Sequence, residues 1–435
     1  MWTVNELIVL SDLHLTPERN TGPFQLDREL AECLHWVLME TQDCMIVLAG
    51  DLFDFLSLND CPSTSSFDRL ICHTKQMIEN HSEVFDALAR LAQSPQHTLV
   101  FMTGEGDAEL MIPQVQETIE GRLGLTTPNR SVRWLVLGET LRVQVGSAVT
   151  MIEHGNAFDP WNRLDHASLL TVLSPANRNL PAPRKYQHPL GLELNSRVLN
   201  YMRSRYQWID CLRPANESIL PLLWPLASQS QQTFMLELAG RYESMKTEAA
   251  LKELSNSYDP ATLYRGDKEV CYSSEDLIFK DWIDAIYARQ EGAQASSNLT
   301  EKIRLISNHD RLFEVEEPNY TLKHLQPVFD SGVDLIIHGH THAAKICAVD
   351  NGLYINTGTW GQFIKLPRSH ESNSTWEEFL ERLKTNTVSR VVRPTFAHVY
   401  QQRDSWPIGA LIEWNSAGPE TLAARHLKTH ALTTE

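Results

Sequence analysis

The sequence lacks the features that mark membrane-bound, secreted or disulfide-stabilised proteins. None of its apolar runs approaches the roughly 20 residues that a membrane-spanning helix requires, and the run at 7–10 is too short for the apolar core of a secretory signal. Its seven cysteines are odd in number and never form a Cys-x-x-Cys pair, which is typical of thiols kept reduced. These absences predict a cytoplasmic protein without an integral membrane segment.

The chain also lacks an excess of positive charge. With 38 Lys and Arg against 55 Asp and Glu, its formal net charge is −17, and so acidic a surface repels polyanions. This disfavours a nonspecific nucleic-acid binder, whereas a metal site that acts on phosphate is still compatible with it. The sequence contains no internal repeat, P-loop or zinc-ribbon spacing, and its 435 residues are enough for one large catalytic domain with an insertion or for two to three domains.

Three apolar segments in the first hundred residues each end in an acidic loop. The segments 7–10, 44–49 and 98–103 have the composition of buried strands. Between them, helical spacing predicts a helix at 24–40 and one long helix over 67–92. Because ligands of open α/β sheets bind outside the carboxyl ends of the strands, the polar residues that follow should converge. These residues are Asp12, His14, Asp51, Asp54, Glu105 and Asp107.

A fourth apolar segment, near the other end of the chain, stops in three histidines. The residues at 333–337 read as a short strand, which His338, His340 and His342 follow. His154 likewise follows a strand pattern. A single histidine of this kind is more often solvated than bound to a metal, but imidazoles grouped with carboxylates are typical ligands of divalent ions. We therefore expect a metal site.

The order of these motifs resembles that of the calcineurin-like metallophosphoesterases. The motifs are Asp12-x-His14, Gly50-Asp51-x-x-Asp54, Gly104-x-x-Asp107, His154 and Gly339-His340-x-His342, and Asn356–Trp360 is similar to the family's closing strand and loop. The residues of the first two motifs most resemble those of the branch that contains the UDP-2,3-diacylglucosamine pyrophosphohydrolases, although this chain is far longer than those enzymes. The resemblance covers about 1–157 and 315–415. It implies a four-layer α/β sandwich of two mixed sheets flanked by helices.

The same resemblance implies a binuclear metal centre. One ion would be held by Asp12, His14 and His342 and the other by Glu105, His154 and His340, with Asp51 bridging the two. The ions, Mn foremost with Fe, Zn or Mg as alternatives, would activate a bridging hydroxide that hydrolyses a phosphodiester or phosphoanhydride bond. Asp51 and Asp107 are the expected catalytic carboxylates. His338 is expected either to be packed or to orient a neighbouring ligand, and not to bind an ion itself.

The third motif departs from the family pattern. Where the family has Gly-Asn-His-Asp or Gly-Asn-His-Glu, this chain has Gly104-Glu105-Gly106-Asp107. Glu105 can still bind a metal but adds a negative charge, and Gly106 has no side chain to protonate a leaving oxygen, a contribution of typically about 10²–10⁴-fold. Three interpretations fit this departure. The substrate has a good leaving group and needs no acid, or another residue such as His309 supplies the acid. In the third, the site binds metal but turns over substrate poorly.

The segment between the two matching parts predicts a mainly helical cap. Helical spacing covers 194–208, 230–255 and 274–291, and insertions at strand ends usually shape the substrate pocket. Its first half is locally basic, which either binds phosphate or reflects ordinary solvated charges. Candidate substrate contacts are Asn156, Arg163 and Lys185. The same charges leave a metal-dependent nuclease of DNA or RNA open as an alternative.

The expected organisation is a metallophosphoesterase core at 1–157 and 315–420, a helical cap at 158–314 and a tail at 421–435. A phosphate-containing substrate is the expected partner, and a nucleic acid, a protein partner or a homo-oligomer stays open. A metal-bound scaffold with little turnover is the alternative from a different functional class.

Overall fold

The computed structural model describes residues 1–18, 22–58, 67–125, 131–177, 186–212, 220, 222–255, 313–318, 322, 325–349, 351–367, 371–402 and 405–427. Within these ranges two mixed β-sheets are flanked by helices. This confirms the α/β sandwich that was predicted. The predicted helix at 274–291, Lys185 and His309 lie outside the described residues.

The described strands are numbered in chain order. They are β1 (Trp2–Val4), β2 (Glu6–Leu10), β3 (Cys44–Ala49), β4 (His97–Met102), β5 (Val132–Leu135), β6 (Leu141–Val145), β7 (Ala148–Ile152), β8 (Leu335–His338), β9 (Lys345–Val349), β10 (Gly352–Asn356), β11 (Thr395–Tyr400), β12 (Ile408–Asn415) and β13 (Gly418–His426). One sheet has the order β13-β12-β11-β2-β3-β4-β5 and the other β1-β6-β7-β8-β10-β9. The last strand therefore continues the first sheet past residue 420, where the core was expected to end.

Both sheets mix parallel and antiparallel pairs. Strands β2 to β5 are parallel neighbours, whereas β11, β12 and β13 extend the same sheet antiparallel. In the second sheet β8 is parallel to both β7 and β10. Parallel neighbours end at the same edge of a sheet, so the loops that follow β2, β3 and β4 come together.

The two faces of β2 explain why its sequence is continuously apolar. Leu7 and Val9 pack between the two sheets, whereas Ile8 and Leu10 pack against the helices on the outer face. Alternate residues of a strand point to opposite faces, so a strand covered on both sides needs apolar residues at every position.

The described helices cover the outer faces of the sheets, and those within 190–255 belong to a separate hydrophobic cluster, which is called the cap below. Their bounds are Asp27–Glu40, Phe67–Asn80, Ser82–Gln93, Pro113–Arg122, His166–Asn177, Leu190–Leu194, Asn200–Arg203, Gln229–Ser255, Gln326–Asp330 and Asn373–Lys384. A π-helical turn at Asn195–Leu199 joins two of them. None of the described helices is long and apolar enough to cross a bilayer.

The prediction of one helix over 67–92 is wrong, because the chain breaks at His81 into two helices. The buried imidazole of His81 lies 2.6 Å from Oδ1 of Asp27 through Nδ1 and 3.1 Å from the carbonyl oxygen of Thr16 through Nε2. These partners are distant in the sequence, and they hold His81 in a non-helical backbone conformation with φ −108° and ψ 36°.

The cap has a hydrophobic core of its own. Trp161, Trp208 and residues of the helix Gln229–Ser255 pack there with Trp376 and Phe379. The helix Asn373–Lys384 therefore packs against the insertion, although its sequence lies in the second part of the expected core.

The cap also contacts the loop that follows β3. The side-chain amides of Asn195 and Asn200 donate to the carbonyl oxygens of Leu56 and Leu58, each at 3.1 Å. These hydrogen bonds place the cap beside the strand ends where the polar motifs lie.

Candidate metal centre

The candidate site lies where strands of both sheets end. The N–H of His340 links the two sheets, because it donates to Oδ2 of Asp12 at 2.9 Å. Within one sheet, the N–H of Gly339 donates to the carbonyl oxygen of His154 at 2.9 Å. The N–H of His14 donates to the carbonyl oxygen of Asp51 at 2.9 Å. Residues from opposite ends of the chain are thus held in one cleft.

The backbone of the site is unusual in its conformation. Seven non-glycine residues of the described chain have positive φ, and five of them are predicted ligands. They are Asp12 (54°), His14 (51°), Asp51 (55°), His340 (66°) and His342 (57°). Each such residue costs about 1–3 kcal/mol, which a fold tolerates where the surrounding structure fixes it and which is frequent at functional sites. The strain is thus concentrated at the strand ends.

Asp12, His14 and His342 form the first group of metal-ligand atoms, which lie within 4.8 Å of one another. Nε2 of His342 lies 3.2 Å from Oδ1 of Asp12 and 3.1 Å from Nε2 of His14. A single ion could contact all three side chains.

Glu105, His154 and His340 form the second group, again with ligand atoms within 4.8 Å. Oε1 of Glu105 lies 2.8 Å from Nδ1 of His340, and Oε2 lies 3.0 Å from Nε2 of His154. The other nitrogen of His154 lies 2.8 Å from the carbonyl oxygen of Ala49, which leaves Nε2 facing the group.

Asp51 lies between the two groups. Its Oδ2 atom lies 3.7 Å from Nε2 of His14 and 3.6 Å from Nε2 of His154. Its Oδ1 atom accepts a hydrogen bond from the N–H of Gly106 at 2.7 Å. One oxygen is therefore fixed by the backbone, while the other faces both groups.

The donor set fits two divalent ions. Carboxylate oxygens and imidazole nitrogens occur in both groups, a mixture that suits Mn, Fe and Zn. Oδ1 of Asp12 and Nδ1 of His340 are buried and form no hydrogen bond of good geometry, although each faces another ligand atom of its own group. Burying a polar atom is costly unless a partner compensates it. An ion at each group would supply that partner.

The charges of the site favour cations. Although burial alone raises the pKa of Asp12 and of Glu105, the neighbouring imidazoles outweigh burial and hold both pKa values below their usual range. Burial alone lowers the pKa of His340, yet Glu105 and Asp159 outweigh it and raise that pKa to about 10. Protons on His340 and His154, whose pKa Asp51 and Glu105 raise against the effect of burial, thus balance carboxylates in the metal-free protein, and divalent ions can take their place.

The other predicted carboxylates hold loops. Asp107 accepts hydrogen bonds from the N–H groups of Leu52 and Gly104 at 2.8 and 2.7 Å, so it fixes the loop after β3 to the loop after β4. Asp54 accepts from the N–H of Ser57 at 3.0 Å and begins a short 3₁₀ turn. Neither belongs to a group of metal-ligand atoms among the described residues.

Two of the predicted substrate contacts belong to the entry of the cap. Asn156 is buried, and its amide donates to the carbonyl oxygen of Asn162 at 3.3 Å. The backbone N–H of Arg163 donates to the carbonyl oxygen of Asp159 at 2.9 Å. Both residues thus take part in one folded loop, and a role in substrate binding stays a prediction.

His338 is packed, as expected. It is buried, and its ring lies 5.7 Å from the ring of Phe158 and 5.5 Å from that of Tyr354. It sits on β8, before the backbone turns into the cleft.

Sequence reasoning missed Asp159. Its Oδ2 atom lies 2.9 Å from Nε2 of His340, and both side chains are buried. Asp159 stands outside every family motif, and only its position shortly after His154 could have drawn attention to it.

Several basic residues of the cap are engaged with the protein. Arg203 forms two hydrogen bonds with Asp210, at 2.8 and 2.9 Å. The guanidinium of Arg197 lies 4.7 Å from the centre of the Phe234 ring, and that of Arg205 lies 5.3 Å from the Tyr206 ring. Arg203 is therefore neutralised by Asp210, whereas Arg197 and Arg205 are exposed and retain their positive charge.

Comparison with known proteins gives structural neighbours only, since no family model and no curated protein matches the chain. Vps29 of Entamoeba histolytica, as a single mutant, has 10% identity and a TM-score of 0.28, with 97% of this chain and 99% of that chain covered. GAP50, described as the anchor in the inner membrane complex of Plasmodium, has 10% identity and a TM-score of 0.36, with 99% and 90% covered. A protein described as a 5′-nucleotidase of Staphylococcus aureus, in complex with alpha-ketoglutarate, has 11% identity and a TM-score of 0.29, with 99% and 55% covered. Likenesses this weak do not define a function, so the geometry of the site carries the proposal.

Proposed function

We propose that the protein is a metal-dependent phosphoesterase that hydrolyses a phosphodiester or phosphoanhydride bond at a two-ion centre. The observation that carries the proposal is the position of Oδ2 of Asp51, within 3.7 Å of a nitrogen from each group. Two ions bound there would lower the pKa of a shared water and neutralise charge on a phosphoryl group. The motif order described above supports the same reaction class.

Each group of side chains would bind one of the two ions. Asp12, His14 and His342 would hold one ion and Glu105, His154 and His340 the other, with Asp51 contacting both. The carboxylate of Asp107 keeps the two acidic loops together, and the N–H of Gly106 orients Asp51. Because most of these groups are buried, their geometry is set before a substrate arrives.

Glu105 affects how strongly the site attracts phosphate. With neutral histidines, two dications and three carboxylates leave a formal charge of about +1, whereas a neutral amide at position 105 would leave about +2. The attraction for a highly charged phosphomonoester is therefore weaker than in a site with an amide. This favours a diester or an anhydride with less charge at the reacting phosphorus.

Gly106 points to the same substrates. A glycine offers no proton donor for the leaving oxygen, so a bond whose leaving group is already stable as an anion should be cleaved best. Pyrophosphates and activated diesters have such leaving groups. The resemblance to the diacylglucosamine pyrophosphohydrolase branch is compatible with this, and substrate identity at that level belongs to the proposal alone.

Two alternatives carry less support. The nuclease hypothesis depends on free positive charge in the cap, where Arg203 is paired with Asp210 while Arg197 and Arg205 stay exposed. A scaffold with little turnover is favoured by Gly106 alone. Manganese as the preferred ion, a cytoplasmic location and a protein partner or homo-oligomer are parts of the proposal that the site itself does not specify.

Hydrolysis of bis-p-nitrophenyl phosphate and p-nitrophenyl phosphate with Mn²⁺ tests the proposal. We expect turnover of the diester to exceed that of the monoester, and Asp51→Ala to abolish it. Asp86→Ala is the matched control, because this exposed carboxylate pairs with Arg122 on the outer surface. Stoichiometric metal binding without turnover of either ester would instead support the scaffold hypothesis. Salt-sensitive binding to DNA or RNA would support the nuclease hypothesis.

A further inference from the structure

His340 contacts a carboxylate through each of its ring nitrogens. Nδ1 lies 2.8 Å from Oε1 of Glu105, in the second group, and Nε2 lies 2.9 Å from Oδ2 of Asp159. Nδ1 faces Glu105 within the second group of metal-ligand atoms, so it is the nitrogen available to an ion. The bond to Asp159 therefore governs which nitrogen carries the proton.

Asp159 is itself held in place by its own loop. Its Oδ1 atom accepts from the backbone N–H of Trp161 at 2.8 Å, and Oδ2 accepts from the side-chain amide of Asn162 at 2.7 Å. With the bond from His340, the carboxylate has at least three donors around it. It cannot turn away from His340 without losing at least one of them.

Trp161 joins this loop to the core of the cap. Its ring is buried and stacks on Tyr242 of the helix Gln229–Ser255, with ring centres 5.2 Å apart and planes inclined by 25°. Its carbonyl oxygen accepts from the N–H of Gly191 at 2.8 Å. A continuous set of contacts thus runs from the cap through Trp161 and Asp159 to His340.

We propose that Asp159 is a positioning residue that keeps the proton of His340 on Nε2 and presents Nδ1 to the second ion. Binding of that ion then depends on the folded cap, which holds Asp159 through Trp161 and Asn162. This inference rests on the proposed two-ion function. Partners of this kind that orient a metal-binding histidine typically contribute about 10–100-fold to metal affinity.

The substitution Asp159→Asn preserves the shape of the side chain and changes its hydrogen bonding. The carboxylate faces three donors, whereas an amide has only one oxygen. Its NH₂ group must therefore face either the N–H of Trp161 or the imidazole of His340. The first arrangement disrupts the loop, and the second moves the proton of His340 to Nδ1. Both lower the affinity for the second ion and leave that for the first ion unchanged.

Calorimetric titration with Mn²⁺, together with electron paramagnetic resonance of the bound ions, tests this in the full-length protein. For wild type we expect two sites and the spin-coupled signal of a Mn²⁺ pair. For Asp159→Asn we expect the second ion to bind about 10–100-fold more weakly while the first binds as before. Asp165→Asn is the matched control, since this exposed carboxylate bonds to Ser168 in the same region. It should leave both affinities unchanged.

The outcomes separate the inference from the function on which it rests. Wild-type protein that binds fewer than two ions would overturn both. Two ions in wild type and unchanged affinities in Asp159→Asn would overturn the role of Asp159 alone. If that variant does not fold, Asn162→Ala decides, because it removes one donor and keeps the carboxylate. A weakened second ion supports the role, and unchanged affinity contradicts it.

Discussion

The backbone N–H of Gly106 donates to Oδ1 of Asp51 at 2.7 Å, and a Cβ atom at position 106 would lie 3.1 Å from that same oxygen. The residue that lacks a proton-donating side chain is therefore also the one that orients the carboxylate between the two ligand groups. A side chain at this position would have to push Asp51 by a few tenths of an ångström. Gly106 thus affects both the positioning of Asp51 and the range of usable leaving groups.

Gly106→Ala should lower kcat for bis-p-nitrophenyl phosphate by roughly tenfold, because even a misplacement of about 1 Å can cost about 10²-fold in rate. Thermal unfolding should change little. Gly240→Ala is the control, since a Cβ there meets nothing within 4 Å on an exposed stretch of helix. It should raise stability by about 0.5–1 kcal/mol without changing kcat. An unchanged kcat in Gly106→Ala would show that Asp51 tolerates the displacement.

Turnover should depend steeply on the leaving group. Without a positioned acid, we expect aryl diesters with weakly acidic phenols to react at least about 10²-fold more slowly than p-nitrophenyl diesters, the smallest benefit that such an acid usually provides. Rates measured across a series of substituted phenyl diesters give the slope. A shallow slope would mean that an acid comes from elsewhere, and His309→Ala would then identify it if that variant makes the slope steep.

Binding of the second ion should strengthen as the pH rises. In the metal-free protein Glu105 and Asp159 outweigh burial and raise the pKa of His340 to about 10 from an ordinary 6.5. The stability that these ion pairs provide is complete below pH 6.5 and is lost as the pH rises through about 10. An ion must displace this proton, so affinity should rise about tenfold per pH unit for each proton released. Titrations between pH 6 and 8 in buffers of different ionisation enthalpy measure the release, and an affinity independent of pH would contradict the prediction.

Trp376→Ala should destabilise the cap by about 3–5 kcal/mol, because the side chain is fully buried in the cap core with Trp208 and Phe379. Limited proteolysis and thermal unfolding should detect the change. Trp406→Ala is the matched control: its side chain is 50% exposed, so the effect should stay within about 0.5 kcal/mol. If Trp376→Ala lowered the stability as little as Trp406→Ala, the helix Asn373–Lys384 would contribute little to the cap.

Much of the fold could be predicted from the sequence because the signals are local. The runs that became β2, β3 and β4 are apolar throughout, since both faces of these strands are covered. The polar residues directly after them had to lie at one edge of the sheet. In contrast, the helix break at His81 depends on Asp27 and Thr16, which sequence periodicity cannot reveal.

Local sequence is enough to specify which side chains stand at the strand ends, because strand, turn and ligand are adjacent along the chain. The position of Oδ2 of Asp51 opposite both groups, and the contact of Asp159 with His340, depend instead on long-range packing. Only the fold showed, too, that the helix Asn373–Lys384 belongs to the cap. The physical reason is the range of the interactions: hydrophobic periodicity and turn chemistry act over a few residues, whereas these contacts join segments that meet only after both sheets and the cap have packed.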